Sequence, residues 1–173
     1  MAEMTYTATD RVKNFLYLFC LLLLVWLSLT SSFHWQELTV GIITSFVLSL
    51  FLNKQYFELG LPIFSIKRMV FFAIYAVVLF VEIIKANFDV AYRVLHPKLP
   101  IKPGIVIIKT GLKQDFAKML LANSITLTPG TFTLDVLGDK LLIHWINVKS
   151  EDTAEATKII AERFEKYLRV IFA

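Results

Sequence analysis

The sequence predicts a membrane α-helical region of two to three helices followed by a small C-terminal α/β domain, ordered β-α-β-β-α as a three-stranded sheet with two helices. Composition points there first: 57% of the 173 residues are hydrophobic and 18% charged, against roughly 45–50% and 25% in soluble domains. The long charge-free runs all lie in the first half of the chain. Past a Pro-rich break, apolar residues instead follow the periods of strands and amphipathic helices. The expected division is a membrane-embedded helical region at 1–96, a Pro-rich linker at 97–104 and a soluble α/β domain at 105–173. A chain of this length excludes a large multidomain enzyme.

Residues 14–36 carry no Asp, Glu, Lys or Arg over 23 positions, enough for a spanning helix, since about 20 apolar residues cross a bilayer. No small-residue cleavage site follows, and a second apolar stretch begins almost at once, which disfavours a signal peptide. That second stretch, 38–52, reads as short: the 16 residues from 38 to 53 rise only about 24 Å. The brief connection between the two makes them antiparallel neighbours, with His34 and Trp35 suited to the water interface. A third charge-free run covers the 13 residues 69–81, about 20 Å of helix, and becomes amphipathic from Glu82 onward. This helix is expected to tilt, to project from the membrane or to take in polar groups.

Charge placement bears on orientation. Arg11 and Lys13 precede the first helix, Lys54, Lys67 and Arg68 follow the second, and the connection between them has no Lys or Arg; the amino terminus and the 53–68 loop are thus expected on the cytoplasmic side. Three full spans would then place the tail outside, whereas an interfacial third helix would keep it inside. Residues 97–173 hold 11 Lys/Arg against 8 Asp/Glu, a mildly basic tail, while 1–96 hold 7 against 6.

Glu82, Lys85, Asp89 and Arg93 fall at steps of 3, 4 and 4, forming one helical stripe with Glu82–Lys85 and Asp89–Arg93 spaced for ion pairs. The stripe faces protein or water and is the candidate interface or ion path. In the tail, the β-branched run 105–108 reads as a strand covered on both faces, and 112–123 as a helix presenting Phe116, Met119 and Leu120. Thr128-Pro129-Gly130-Thr131 reads as a tight turn in which Gly130 takes a positive φ. A two-residue Gly138-Asp139 turn sets Phe132 opposite Trp145, Leu134 opposite Ile143 and Val136 opposite Leu141, all on one face, with Thr133 beside His144 on the other. If the first two strands are parallel neighbours, their crossover is right-handed. Ser150 is the expected cap of a last helix whose stripe is Ala156, Ile160, Phe164, Tyr167, Leu168 and Ile171.

No Gly-rich phosphate loop, nucleophile elbow, HExxH, CxxC or paired-carboxylate constellation is present. The single Cys20 lies within an apolar run, forbidding an internal disulfide. His144 has no second His, Cys or carboxylate at metal-ligand spacing. No catalytic residue, cofactor or metal is expected, and the scattered basic residues argue against nucleic acid as a partner. The residues alone lead to a small membrane protein with a docking domain.

The run Leu121-Ala122-Asn123-Ser124-Ile125-Thr126-Leu127-Thr128-Pro129-Gly130-Thr131, with Leu134-Asp135 and Ile143-His144-Trp145-Ile146, resembles the signature of the E-type subunits of the Mrp-type multisubunit cation/proton antiporters. Glu82-Ile83-Ile84-Lys85-Ala86-Asn87-Phe88-Asp89-Val90 and Lys102-Pro103-Gly104-Ile105-Val106 resemble the same family. The likeness covers about residues 66–173; the first two helices share length, hydrophobicity and order. It implies a non-catalytic, multi-pass subunit of a cell-membrane assembly exchanging Na⁺ for H⁺, with a cytoplasmic C-terminal domain and other antiporter subunits and the lipid bilayer as partners. Related subunits occur in archaeal membrane-bound hydrogenases and sulfane reductases, which couple redox chemistry to ion pumping. A count of 13 Lys to 5 Arg with 3 Gln leans toward a thermophile and keeps that second assembly open.

Overall fold

The computed structural model describes residues 8–58 and 65–173. The chain divides into two compact units, Met1–Ser65 and Ile66–Ala173.

The first unit is a helical hairpin. α1 (Ala8–Thr30) and α2 (Trp35–Glu58) are joined by residues 31–34, and α1 closes with Ser31 at φ 47°, its amide donating to the Leu27 carbonyl at 2.9 Å. At one end Asn14 Nδ2 donates to Asn53 Oδ1 at 3.4 Å and Asn53 Nδ2 to the Arg11 carbonyl at 3.3 Å; at the other, Trp26 Nε1 donates to the Glu37 carbonyl at 3.1 Å. Small polar side chains, Ser45 and Ser49, are buried at the seam, the composition that lets apolar helices approach closely. α2 is longer than its charge-free core implied: the apolar segment Trp35–Tyr56 has 22 residues, about 33 Å, because polar residues at both ends continue the helix beyond that core. α1, α2 and α3 are all long and apolar enough to cross a membrane.

The second unit begins with α3 (Ile66–Leu95), one continuous helix of 30 residues, about 45 Å long. Then come β1 (Gly104–Lys109), α4 (Asp115–Leu127), β2 (Thr131–Leu137), β3 (Lys140–Trp145), α5 (Thr153–Ile160) and α6 (Glu162–Ile171). The Pro-rich stretch 97–104 lies within this unit and is tied to it: the Lys102 amide donates to the Ile146 carbonyl at 3.1 Å, and the Val148 amide to the Lys102 carbonyl at 2.8 Å. One core joins Tyr75 of α3 with Leu121 and Ile125 of α4, Ile108, Leu141 and Ile143 of the sheet, and Phe164 and Leu168 of α6.

Several expectations change. The sheet order is β1-β3-β2 and both pairings are antiparallel, so β1 and β2 point the same way but are separated by β3. β1 is not covered on both faces: Val106 and Ile108 are buried while Ile105 and Ile107 are exposed. The hairpin register holds only near its turn, with Val136 opposite Leu141. Gly138 has φ 64°, and as the only positive φ of the two turn residues it gives the II′ pattern. A bulge between Thr133 and Asp135 then shifts the pairing, setting Thr133 opposite Ile143 and Phe132 opposite His144. Phe132 and Leu134 therefore turn outward, whereas Leu141, Ile143 and Trp145 stay in the core.

The α4 helix starts and ends later than expected and buries Ala117, Leu121, Ser124 and Ile125; Met119 is exposed. The last helix is two, broken at Ala161, and Asp152 caps α5 by accepting from the Glu155 amide at 2.9 Å. Ser150 instead accepts from the Asp152 amide at 3.2 Å. The stripe from Ala156 to Ile171 faces the core, with Tyr167 half-buried.

A Cβ at Gly41 would stand 2.5 Å from Trp26 Cδ1, so the indole lies directly on the α2 backbone. Gly41→Ala is expected to destabilise the hairpin by about 1–3 kcal/mol, the usual cost of overpacking. Thermal unfolding of the full chain in detergent measures it, and Trp26→Leu in the same chain should restore part of the loss.

Candidate functional site

The charged stripe is assembled by α3 and closed by the rest of its own unit. Glu82 Oε1 accepts from Lys85 Nζ at 2.9 Å, and Glu82 Oε2 from Arg163 Nη1 of α6 at 2.5 Å. The Glu82 side chain is only 17% exposed. Two helical turns on, Asp89 takes the fork of Arg93, Nε to Oδ2 at 2.7 Å and Nη2 to Oδ1 at 3.0 Å, and Arg93 Nη1 donates to the Pro100 carbonyl at 2.6 Å. Both i, i+3/i+4 pairs thus form as the spacing predicts, and two further contacts carry the stripe to α6 and to the Pro-rich segment. The stripe is a seam within the unit, in which both carboxylates are bound by cations.

The turn at Thr128, Pro129, Gly130 and Thr131 closes α4. The Thr128 and Thr131 hydroxyls donate to the Ile125 carbonyl at 2.7 and 2.6 Å, and the Thr131 amide donates to the Thr128 carbonyl at 3.2 Å. These contacts satisfy a carbonyl that the helix end leaves open. Gly130 has the expected positive φ, 93°, and its carbonyl accepts from the Ile146 amide at 2.8 Å. A Cβ there would lie 2.9 Å from Ile146 Cγ2 and 3.5 Å from Val90 Cγ2 of α3. Stripe and turn, read separately in the sequence, therefore sit against successive turns of one helix.

Three partners escaped the sequence reading. Arg163 of α6 reaches Glu82 of α3 from 81 positions away. Tyr75, buried within an apolar run, shares a hydrogen bond between its hydroxyl and that of Ser124. Glu165, also buried, accepts from the Gly111 amide at 2.7 Å and from Arg169 Nη2 at 2.8 Å. Only Glu165–Arg169 had a readable signal, its i, i+4 spacing. Among the described residues no group of three His, Cys, Asp or Glu side chains stands together to hold a metal. His144 is exposed on the outer face of the sheet.

Three helices long and apolar enough to cross a membrane, followed by a small sheet module, define a membrane protein. Residues 19–171 match the family described as Na⁺/H⁺ ion antiporter subunit, and the chain belongs to that family. The match begins inside α1, so the likeness extends through the first two helices as well. Over 170 residues the chain is 34% identical to the E1 subunit of the Na(+)/H(+) antiporter of Staphylococcus haemolyticus, covering 95% of this chain and 98% of that protein. The corresponding protein of Staphylococcus aureus is 33% identical over the same shares. A chain in the structure of the membrane-bound sulfane sulfur reductase, an archaeal respiratory membrane complex, superposes with a TM-score of 0.75 at 50% identity, covering 92% of this chain and 99% of that one.

Gly138 shares the positive φ but has open space where a Cβ would go. Alanine at either glycine meets strain of about 1–3 kcal/mol, and Gly130→Ala adds the collision with Ile146. Gly130→Ala is expected to cost about 1–2 kcal/mol more than Gly138→Ala, read from denaturant unfolding of the full chain in detergent.

Proposed function

We propose that this chain is a non-catalytic membrane subunit, of the E type, in a multisubunit Na⁺/H⁺ antiporter assembly. It supports assembly and, through assembly, monovalent cation/proton exchange in the cell membrane, with its C-terminal module on the cytoplasmic side. The observation that carries a docking role is the outer face of the sheet, where Ile105, Ile107, Phe132 and Leu134 are exposed on either side of Leu142 and His144 of β3. A largely apolar face of this kind marks a protein contact. The residues at 105–173 form the docking module, those at 1–96 the membrane part, and the Thr128–Thr131 turn shapes the module.

The seam supports the same reading. Glu82 is neutralised by Lys85 and Arg163, an arrangement that holds two helices together and engages both carboxylate oxygens with fixed cations. Glu82→Gln is expected to reduce the yield of assembled complex while exchange per assembled complex stays unchanged in vesicles loaded with a pH-sensitive dye. Normal assembly with exchange lost would place Glu82 on the ion path and reject the assembly role.

A second reading has its own support. The 50% identity to a chain of the sulfane sulfur reductase structure favours the homologous subunit of a redox-coupled assembly. Affinity purification of the tagged chain from its native membranes, with subunits identified by mass spectrometry, separates the two. Large antiporter subunits alone fit the first, added redox subunits fit the second, and a chain recovered without companions rejects both.

A further inference from the structure

We infer that α3, although long enough to span, lies in the plane of the membrane, with its outer face seated in the lipid headgroup and upper acyl region. The placement rests on the membrane-subunit reading and goes beyond it. The module follows α3 along nearly its whole length. Arg68 donates to the Ala173 backbone oxygen, the Tyr75 hydroxyl meets Ser124, Glu82 holds Arg163, Val90 lies beside Gly130, and Arg93 donates to the Pro100 carbonyl. From Arg68 to Arg93 these contacts extend over 25 residue steps, about 38 Å of helix. The hydrocarbon layer is about 30 Å thick. A spanning α3 would therefore draw α6, with Arg163, Glu165, Lys166 and Arg169, into the lipid interior beside the charge-free run. Charged side chains avoid that region unless they face a bundle interior or water.

The opposite face of α3 is built for an interface. Val70, Val77, Phe80, Ile84 and Phe88 fall on the side away from Tyr75 and are all exposed, Val77 by 62% and Phe88 by 73%. Lys67 borders this stripe, where its stem covers apolar surface and its ammonium group meets anionic headgroups. An apolar stripe with a basic margin and a polar module behind it fits a lipid surface.

Single cysteines in a Cys20→Ala background test this in the assembled complex, in sealed native membrane vesicles of both orientations. Lys67→Cys and Lys98→Cys bracket α3, and a membrane-impermeant maleimide should label both from the same side, with labelling lost from the other. Labelling from opposite sides overturns the in-plane placement and leaves the subunit reading intact. Nitroxides on Val70→Cys, Val77→Cys and Ile84→Cys should show one shared depth, with collisions favouring oxygen over a nickel chelate equally at all three. A depth maximum at 77 alone indicates a span. Protection from both quenchers indicates a protein cover, and either result overturns lipid as the occupant. A chain found outside membranes would remove the subunit reading and this placement together.

Discussion

The second unit depends on the packing of α3 against the sheet module through a face that is apolar at one end and charged at the other. Phe71, Tyr75 and Leu79 recur at a spacing of four and meet the core formed by α4 and α6. Tyr75 is only 4% exposed, and an aromatic ring buried to that degree contributes on the order of 2 kcal/mol. Its hydroxyl would be costly there without a partner. Ser124 supplies one, and itself donates to the Leu120 carbonyl at 2.6 Å. Without α3, one side of the Leu121, Phe164 and Leu168 cluster would face water, so this helix completes a core that the three strands and three short helices do not close alone.

Toward the other end of α3 the same face becomes polar. A half-buried carboxylate such as Glu82 is tolerable only when held by cations, and Lys85 and Arg163 satisfy that need from two elements. The pairing also fixes register. α6 runs back along α3, with Ala173 near Arg68 and Arg163 at Glu82, and a shift of one turn would leave Arg163 half-buried without its carboxylate and Glu82 with Lys85 alone. The apolar contacts hold the helices together, while the ion pair selects among the alignments those contacts would allow. Glu165 works similarly elsewhere, fixing the loop after β1 by accepting the Gly111 amide.

Much of this was legible in the sequence, and the misses have identifiable causes. Spacing revealed both ion pairs of the stripe, and turn chemistry revealed Gly130, because each is a local rule. Arg163 was hidden because its partner lies 81 positions away and its own helix is rich in charge. The break at Ala161 falls between residues that share one stripe, so periodicity carries straight across it. The antiparallel pairing of β1 with β3 depends on strand order, which no single strand records. The expectation that β1 is covered on both faces treated a β-branched run as proof of burial. Ile105 and Ile107 are apolar because they line an exposed face of this chain.

The bulge in β2 links these misses to the proposed role. An unbroken hairpin would have set Phe132 and Leu134 on the core side. That side is taken instead by Thr131 and Thr133, whose hydroxyls donate to the Ile125 and Ala122 carbonyls of α4 at 2.6 and 3.1 Å, while the Thr133 amide donates to Thr126 Oγ1 at 3.1 Å. Closing the end of α4 with these groups requires threonine where alternation would have placed the large apolar residues. The extra residue at the bulge resolves the conflict, since one inserted position reverses which side chains face inward. The pairing with Leu141 is kept near the turn, and Phe132 and Leu134 are delivered to the same outer face as Ile105 and Ile107, across β3 from them. The apolar outer face is thus a consequence of how the helix before it is capped: the residues whose alternation assigns them to the core are displaced outward by the hydrogen bonds that hold α4 to the strand.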